Sequence, residues 1–217
     1  WLAAPTLPEA PRPGPPLTYA DILLRFGYAD PRTLFGLVGG WREAMRLTYI
    51  ENHDSNAWEG TIGENYGAAR DAMTALSFTH EGLPLIHNGM EACNAKRLEF
   101  FEKDAINWAQ GENCEYGALL VDLIKFRDAN PALANGKWGA RMAQVVNDKP
   151  KQLFGWVRAQ NGNKVVGLFN LSGQPVTATL SDGLTAGDYR EFRTGANVTV
   201  KAGETIRFFL VNKGKLP

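Results

Sequence analysis

Apolar positions along the chain recur at helical spacing over the first 130 or so residues and then switch to alternation. Asp30 before Pro31 marks a helix start, with Leu34, Leu37, Val38, Trp41 and Met45 on one side, although Gly36, Gly39 and Gly40 weaken it. Upstream, Thr18-x-x-Asp21 resembles a capping box ahead of Ile22, Leu23 and Phe26. Leu47 to Ile50 is short, apolar and β-branched enough for a buried strand. A helix is predicted from about Asn65 to Thr79, with Ala69, Met73 and Leu76 turned inward. Gly82 to Ile86 gives a second short strand. Tyr116, Leu119, Leu120, Leu123 and Ile124 mark another amphipathic helix, stopped at Asn130-Pro131. Strand, helix, strand, helix with short connections predicts a parallel βαβα unit.

Beyond Leu133 the period becomes two. Strands are predicted at Leu153 to Val157, Lys164 to Leu171, Val176 to Leu180, Tyr189 to Phe192, Val198 to Lys201 and Thr205 to Val211. Asn161-Gly162-Asn163, Ser172-Gly173 and Ala202-Gly203 supply the turns between them. This half reads as an antiparallel sandwich of roughly 80 residues. The expected boundary lies near Asn135-Gly136, dividing an α/β part, 1–134, from an all-β part, 135–217.

Composition narrows the function classes. Six of the 12 prolines fall within the first sixteen residues, so 1–17 reads as a loop or extended arm. The 23 basic residues balance 23 acidic ones, and zero formal net charge argues against nucleic acid, whose phosphates demand a basic face. No apolar run approaches the roughly 20 residues of a membrane span. Cys93 and Cys114 form neither a disulfide framework nor a zinc pattern, and are expected as two free, structural thiols. The chain opens on Trp1 with no signal-peptide pattern after it, consistent with a processed start or a piece of something longer.

Candidate chemistry concentrates at Asn52-His53-Asp54, immediately past the first strand. In parallel α/β architectures this is where side chains line the ligand crevice. Asn and Asp also suit a turn or helix cap, so spacing alone leaves both readings open. The segment resembles the fourth signature region of the α-amylase family, glycoside hydrolase family 13, and Asn56-Ala57-Trp58-Glu59-Gly60-Thr61 resembles the loop that follows it there. Gly82-Leu83-Pro84-Leu85-Ile86-His87-Asn88-Gly89-Met90-Glu91 is similar to the eighth-strand motif, with His87 where tyrosine is usual and Met90 where glutamine is common. Phe100-Phe101-Glu102-Lys103-Asp104 with Ile106-Asn107-Trp108 is similar to a stretch of maltodextrin-active members. Leu123 to Leu133 resembles the last barrel helix. The resemblance spans roughly residues 30 to 211, with four motifs in order.

That resemblance implies the C-terminal part of a TIM (β/α)8 barrel followed by an antiparallel β-sandwich, with Leu47–Ile50 and Leu83–Ile86 as the seventh and eighth barrel strands. It implies that Asp54 stabilises an oxocarbenium-like transition state and that His53 donates a hydrogen bond to the sugar, with Asn52 beside them in binding. Trp58 either stacks on a sugar ring or anchors packing. The implied substrate is an α-glucan or maltooligosaccharide, cleaved or transferred with retention by two further carboxylates. Neither the nucleophile motif nor the acid/base motif of the family occurs here, so the 217 residues alone are expected to be inactive. The missing N-terminal barrel part or a second copy would cover the open strands; the rival reading is a non-catalytic carbohydrate-binding relative. No residues here form a recognisable metal site, while the resemblance leaves calcium open. Glu51 is expected to orient the strand end, Glu91 and Asp104 to hold loops, and His80 to be a solvated helix-end residue. The residues do not locate the protein; a periplasmic or extracellular setting is favoured over the cytoplasm.

Overall fold

The computed structural model describes residues 47–172, 174–184, 186–200 and 205–208. The Pro-rich start, the helix starts at Thr18 and Asp30, the helix through Met45, Gly173, the Ala202-Gly203 turn and the end of the last predicted strand lie outside them.

β1 (Leu47–Thr48) and β2 (Leu83–Pro84) pair in parallel, Leu47 opposite Leu83, and the Leu85 N–H donates to Thr48 O at 2.9 Å. Both strands are shorter than the apolar runs suggested. Between them, the single helix expected from Asn65 is two. α1 (Ile62–Tyr66) starts earlier because Thr61 and Glu64 form a capping box. At Gly67 the backbone takes a φ of +48°, which ends the helix before a short 3-10 turn leads into α2 (Arg70–Thr79).

α3 (Glu115–Ala129) buries Tyr116, Leu119, Leu120 and Leu123, an i, i+3, i+4, i+7 stripe. Ile124 stands one position past that stripe and is exposed. The stripe packs against Met73 and Leu76 of α2, and Thr74 Oγ1 meets the Tyr116 hydroxyl at 2.8 Å. Burial pushes the Tyr116 phenol well above its ordinary range. Gly117 lets α3 lie directly on the segment after β2, because a Cβ there would sit 2.5 Å from Glu91 O.

Cys93 and Cys114 are not free thiols: they form a disulfide, with Cα atoms 5.6 Å apart. The expectation failed because pairing is a spatial property that a separation of 21 residues does not reveal. The 3-10 turn Met90–Ala92 after β2 and the N-cap of α3 bring the two together.

Among the described residues the second half holds eight strands: β3 (Met142–Gln144), β4 (Val146–Asn147), β5 (Leu153–Gln160), β6 (Asn163–Asn170), β7 (Val176–Asp182), β8 (Gly187–Arg190), β9 (Asn197–Val200) and β10 (Thr205–Phe208). They form antiparallel sheets ordered β3-β5-β6 and β10-β7-β4, with β8-β9 as a hairpin. The β5–β6 turn carries Asn161 and Gly162 at φ +50° and +81°, as the sequence predicted for a tight hairpin. β3 and β4 were not anticipated. They are too short to alternate visibly, and buried Val145 between them donates to Gly155 O as the chain passes from one sheet to the other.

β5 is buried on both faces. Phe154 and Trp156 share the larger core with Met73, Leu76 and the α3 stripe, while Leu153 packs with Val176 and Ala178 of β7. Gly167 on β6 makes room for Trp156, whose ring lies within 2.3 Å of where a Cβ would be. Arg158 extends this middle layer toward the helices. Buried itself, it donates to Ala140 O (2.9 Å), Thr79 O and His80 O (both 3.1 Å) and Ala134 O (2.7 Å). Burial brings its guanidinium down to about 10. The same packing corrects the expectation for His80: it is buried, because the end of α2 is covered by β5 rather than by water.

Candidate functional site

Where β1 ends, the chain turns sharply, and Glu51 governs the turn. The residue is 2% exposed. Oε2 accepts from Asn56 Nδ2 at 3.0 Å and from the Ile62 N–H at 3.2 Å, while Oε1 lies 3.0 Å from His87 Nδ1. Glu51 thus orients the strand end, as expected, and ties the end of β1 to the segment after β2.

Residues Ser55–Glu59 form one turn of π-helix with Asp54 at its N-cap. Asn52 does the capping: its Oδ1 accepts from the Ser55 N–H at 2.8 Å, and Ser55 Oγ accepts from the Asn52 N–H at 2.9 Å. Asp54 makes no capping bond. Its side chain is 57% exposed, that of His53 is 74% exposed, and His53 Nε2 stands 3.5 Å from Asp54 Oδ1. Between the two readings left open above, Asn52 takes the turn role and Asp54 is left pointing its acceptors outward.

Asn56, on the buried side of the same turn, has no exposed surface. Besides donating to Glu51, its Nδ2 reaches Lys96 O at 3.3 Å and its Oδ1 accepts from the Leu98 N–H at 2.8 Å. One side chain therefore fixes the His53–Asp54 turn to a loop forty residues downstream. That loop closes on itself through Asp104, which pairs with Lys96 and accepts from the Glu99 N–H. Those two donors hold the Asp104 carboxyl below its usual range. Glu91 accepts from the Gly89 N–H at 2.9 Å, so both acidic residues expected to hold loops do so.

The loop carries Phe100 and Phe101 to the site. The Phe100 ring stacks near His53, 6.0 Å between centroids, and lies 5.3 Å from Trp58; Phe101 stands edge-on to both Phe100 (4.8 Å) and Trp58 (6.3 Å). Trp58 is 63% and Phe101 82% exposed. The structure so brings together His53, Asp54 and Trp58, with Asn52 supporting them from inside the turn. Sequence reasoning assigned no role to Asn56, Phe100 or Phe101. A pair of adjacent phenylalanines in a polar loop was a visible signal; a buried loop asparagine leaves none. Among the described residues, no three His, Cys, Asp or Glu side chains converge as a metal site, and no helix is long and apolar enough to cross a membrane.

By sequence the chain matches no protein-family model and no curated protein. Its fold is nonetheless similar to solved enzymes. The maltogenic α-amylase AmyB of Thermotoga neapolitana superposes with a TM-score of 0.63 at 18% identity, over 87% of this chain and 45% of that one. An α-amylase from Lactobacillus plantarum gives 0.53 at 19%, over 75% and 36%. A debranching enzyme of Nostoc punctiforme gives 0.51 at 20%, over 64% and 27%. The chain spans less than half the length of each. At these identities the likeness speaks for the fold, and the resemblance read from the four motifs holds at that level: the chain has the fold of the corresponding portion of α-amylase family enzymes.

Proposed function

We propose that this chain is part of a retaining glycoside hydrolase acting on α-glucans or maltodextrins, by hydrolysis or transglycosylation. In this reading residues 1–134 belong to the catalytic barrel and 135–217 to an accessory β-sandwich. The observation that carries it is the exposed Asp54–His53 pair just past the C-terminal end of a parallel strand, on a turn whose hydrogen bonds are satisfied without the Asp54 carboxylate. A carboxylate spared from capping can face the positive charge that develops at the anomeric carbon as the glycosidic bond breaks. His53, beside it, donates to a sugar hydroxyl and limits where the ring can sit. Asn52 contributes by shaping the turn. The nucleophile and the proton donor come from strands this sequence does not contain.

The test is equilibrium binding of maltohexaose to the chain. Asp54→Ala and His53→Ala should each weaken binding while circular dichroism stays unchanged, and a hexaose that binds both variants as well as the wild type removes the reading. A binding-only role is the second reading, favoured by the missing catalytic motifs. Turnover by a longer form that carries the fourth- and fifth-strand carboxylates separates the two.

A further inference from the structure

We propose that Phe100 and Phe101, together with Trp58, form a shelf that stacks one pyranose ring of the substrate beyond the Asp54–His53 pair; naming that ring as part of an α-glucan rests on the function proposed above. The three rings are contiguous, and through the Phe100–His53 stack they run without a break to Asp54. They meet at 46°, 67° and 78°, so they make a notch with apolar walls rather than a flat patch. The notch is a cavity of about 240 Å³ whose rim includes Glu99 and Glu102.

That mixture selects the occupant. The axial C–H bonds of a pyranose present an apolar face to an aromatic ring, and its equatorial hydroxyls donate to carboxylates, which at neutral pH can only accept. An anionic membrane surface would be repelled by Glu99, Glu102 and Asp54. A protein partner needs about 800 Å² from each side, far more than three rings offer. The shelf is also held in register with Asp54. Asn56 bonds both Lys96 O and the Leu98 N–H, and Asp104 closes the loop behind Phe100 and Phe101. Aromatic groups fixed in this way lose little conformational freedom when a sugar docks.

The experiment is titration of the 217-residue chain with maltohexaose and, in parallel, the β-linked cellohexaose, followed by ligand-observed NMR. Phe101 and Trp58 are so exposed that removing either ring leaves the core untouched. Phe101→Ala and Trp58→Ala should each raise the maltohexaose Kd about fivefold. Phe101→Leu should lose as much, since it keeps apolar bulk without a flat face, and Phe101→Tyr should bind as the wild type does. An unchanged Kd in Phe101→Ala, with binding still lost in Asp54→Ala, overturns the shelf and leaves the α-glucan reading standing. Shelf-dependent binding of cellohexaose as tight as maltohexaose, indifferent to Asp54→Ala, keeps the shelf and overturns that reading. Failure of the wild-type chain to bind either hexaose overturns both.

Discussion

Asn56 shows how much one buried amide can decide. It joins Glu51, Lys96 O and the Leu98 N–H, so its loss takes one of two donors from the buried Glu51 Oε2 and from Lys96 O and leaves the Leu98 N–H without its acceptor. Asn56→Ala should cost about 3 kcal/mol, read as a shift of the urea midpoint. Asn56→Asp, the same size, should cost more, because it turns the donor facing Glu51 into a second carboxylate; a milder effect than Asn56→Ala would contradict the assigned bond. Asp54 and His53 carry the opposite kind of expectation. Exposed and unneeded by the turn, they should tolerate substitution in folding but not in function. In an enzyme form carrying the two missing carboxylates, Asp54→Asn should lower kcat by several orders of magnitude and His53→Ala by about 2 to 4 kcal/mol of transition-state stabilisation. An Asp54→Asn enzyme that keeps more than about a tenth of its kcat, a loss under about 1.4 kcal/mol, would falsify the role.

The contact between α2 and α3 turns on the direction of one hydrogen bond. Thr74 Oγ1 donates to Arg70 O at 2.8 Å, so the Tyr116 hydroxyl must be the donor to Thr74. Tyr116→Phe therefore leaves no buried donor behind and should cost at most about 1 kcal/mol. Thr74→Val removes the acceptor of a buried phenol and should cost about 2 kcal/mol. Paired urea melts giving the reverse order would show that the bond points the other way. At this scale most helices and strands were legible, because the 3.6 and 2 periods record which face each element buries. Lengths were less so. The break at Gly67 depends on a backbone angle, and the β3–β4 step depends on Val145 finding Gly155. That His53 and Asp54 follow a strand could be read from the sequence, while their aromatic surroundings could not, since those exist only because a loop folds back across forty residues.

In the molecule as a whole, Arg158 carries the seam between the helices and the β3-β5-β6 sheet. Its fork serves four carbonyls, on both sides of the expected boundary at residue 135. Arg158→Met should cost on the order of 3 to 5 kcal/mol, and Arg158→Lys most of that, because one ammonium cannot reproduce the fork. A urea midpoint moved by the equivalent of less than about 1 kcal/mol would mean that the seam holds without it. We further expect the 217 residues to bind glucan without cleaving it, because retention needs two carboxylates about 5 Å apart across one bond and Asp54 supplies neither role. Release of reducing sugar from starch by the purified chain, abolished in Asp54→Asn, would refute this. The Cys93–Cys114 bridge has a consequence outside the folded state. Its sulfurs meet where the segment following β2 lies on the start of α3, so the bridge ties those two segments together covalently. It is also a record of place, since glutathione-rich compartments keep such thiols reduced. The chain recovered from its native source with thiols alkylated at lysis should weigh two hydrogens less than its sequence if it matured where oxidants prevail. Two alkyl groups in place of that deficit would put its folding in a reducing compartment.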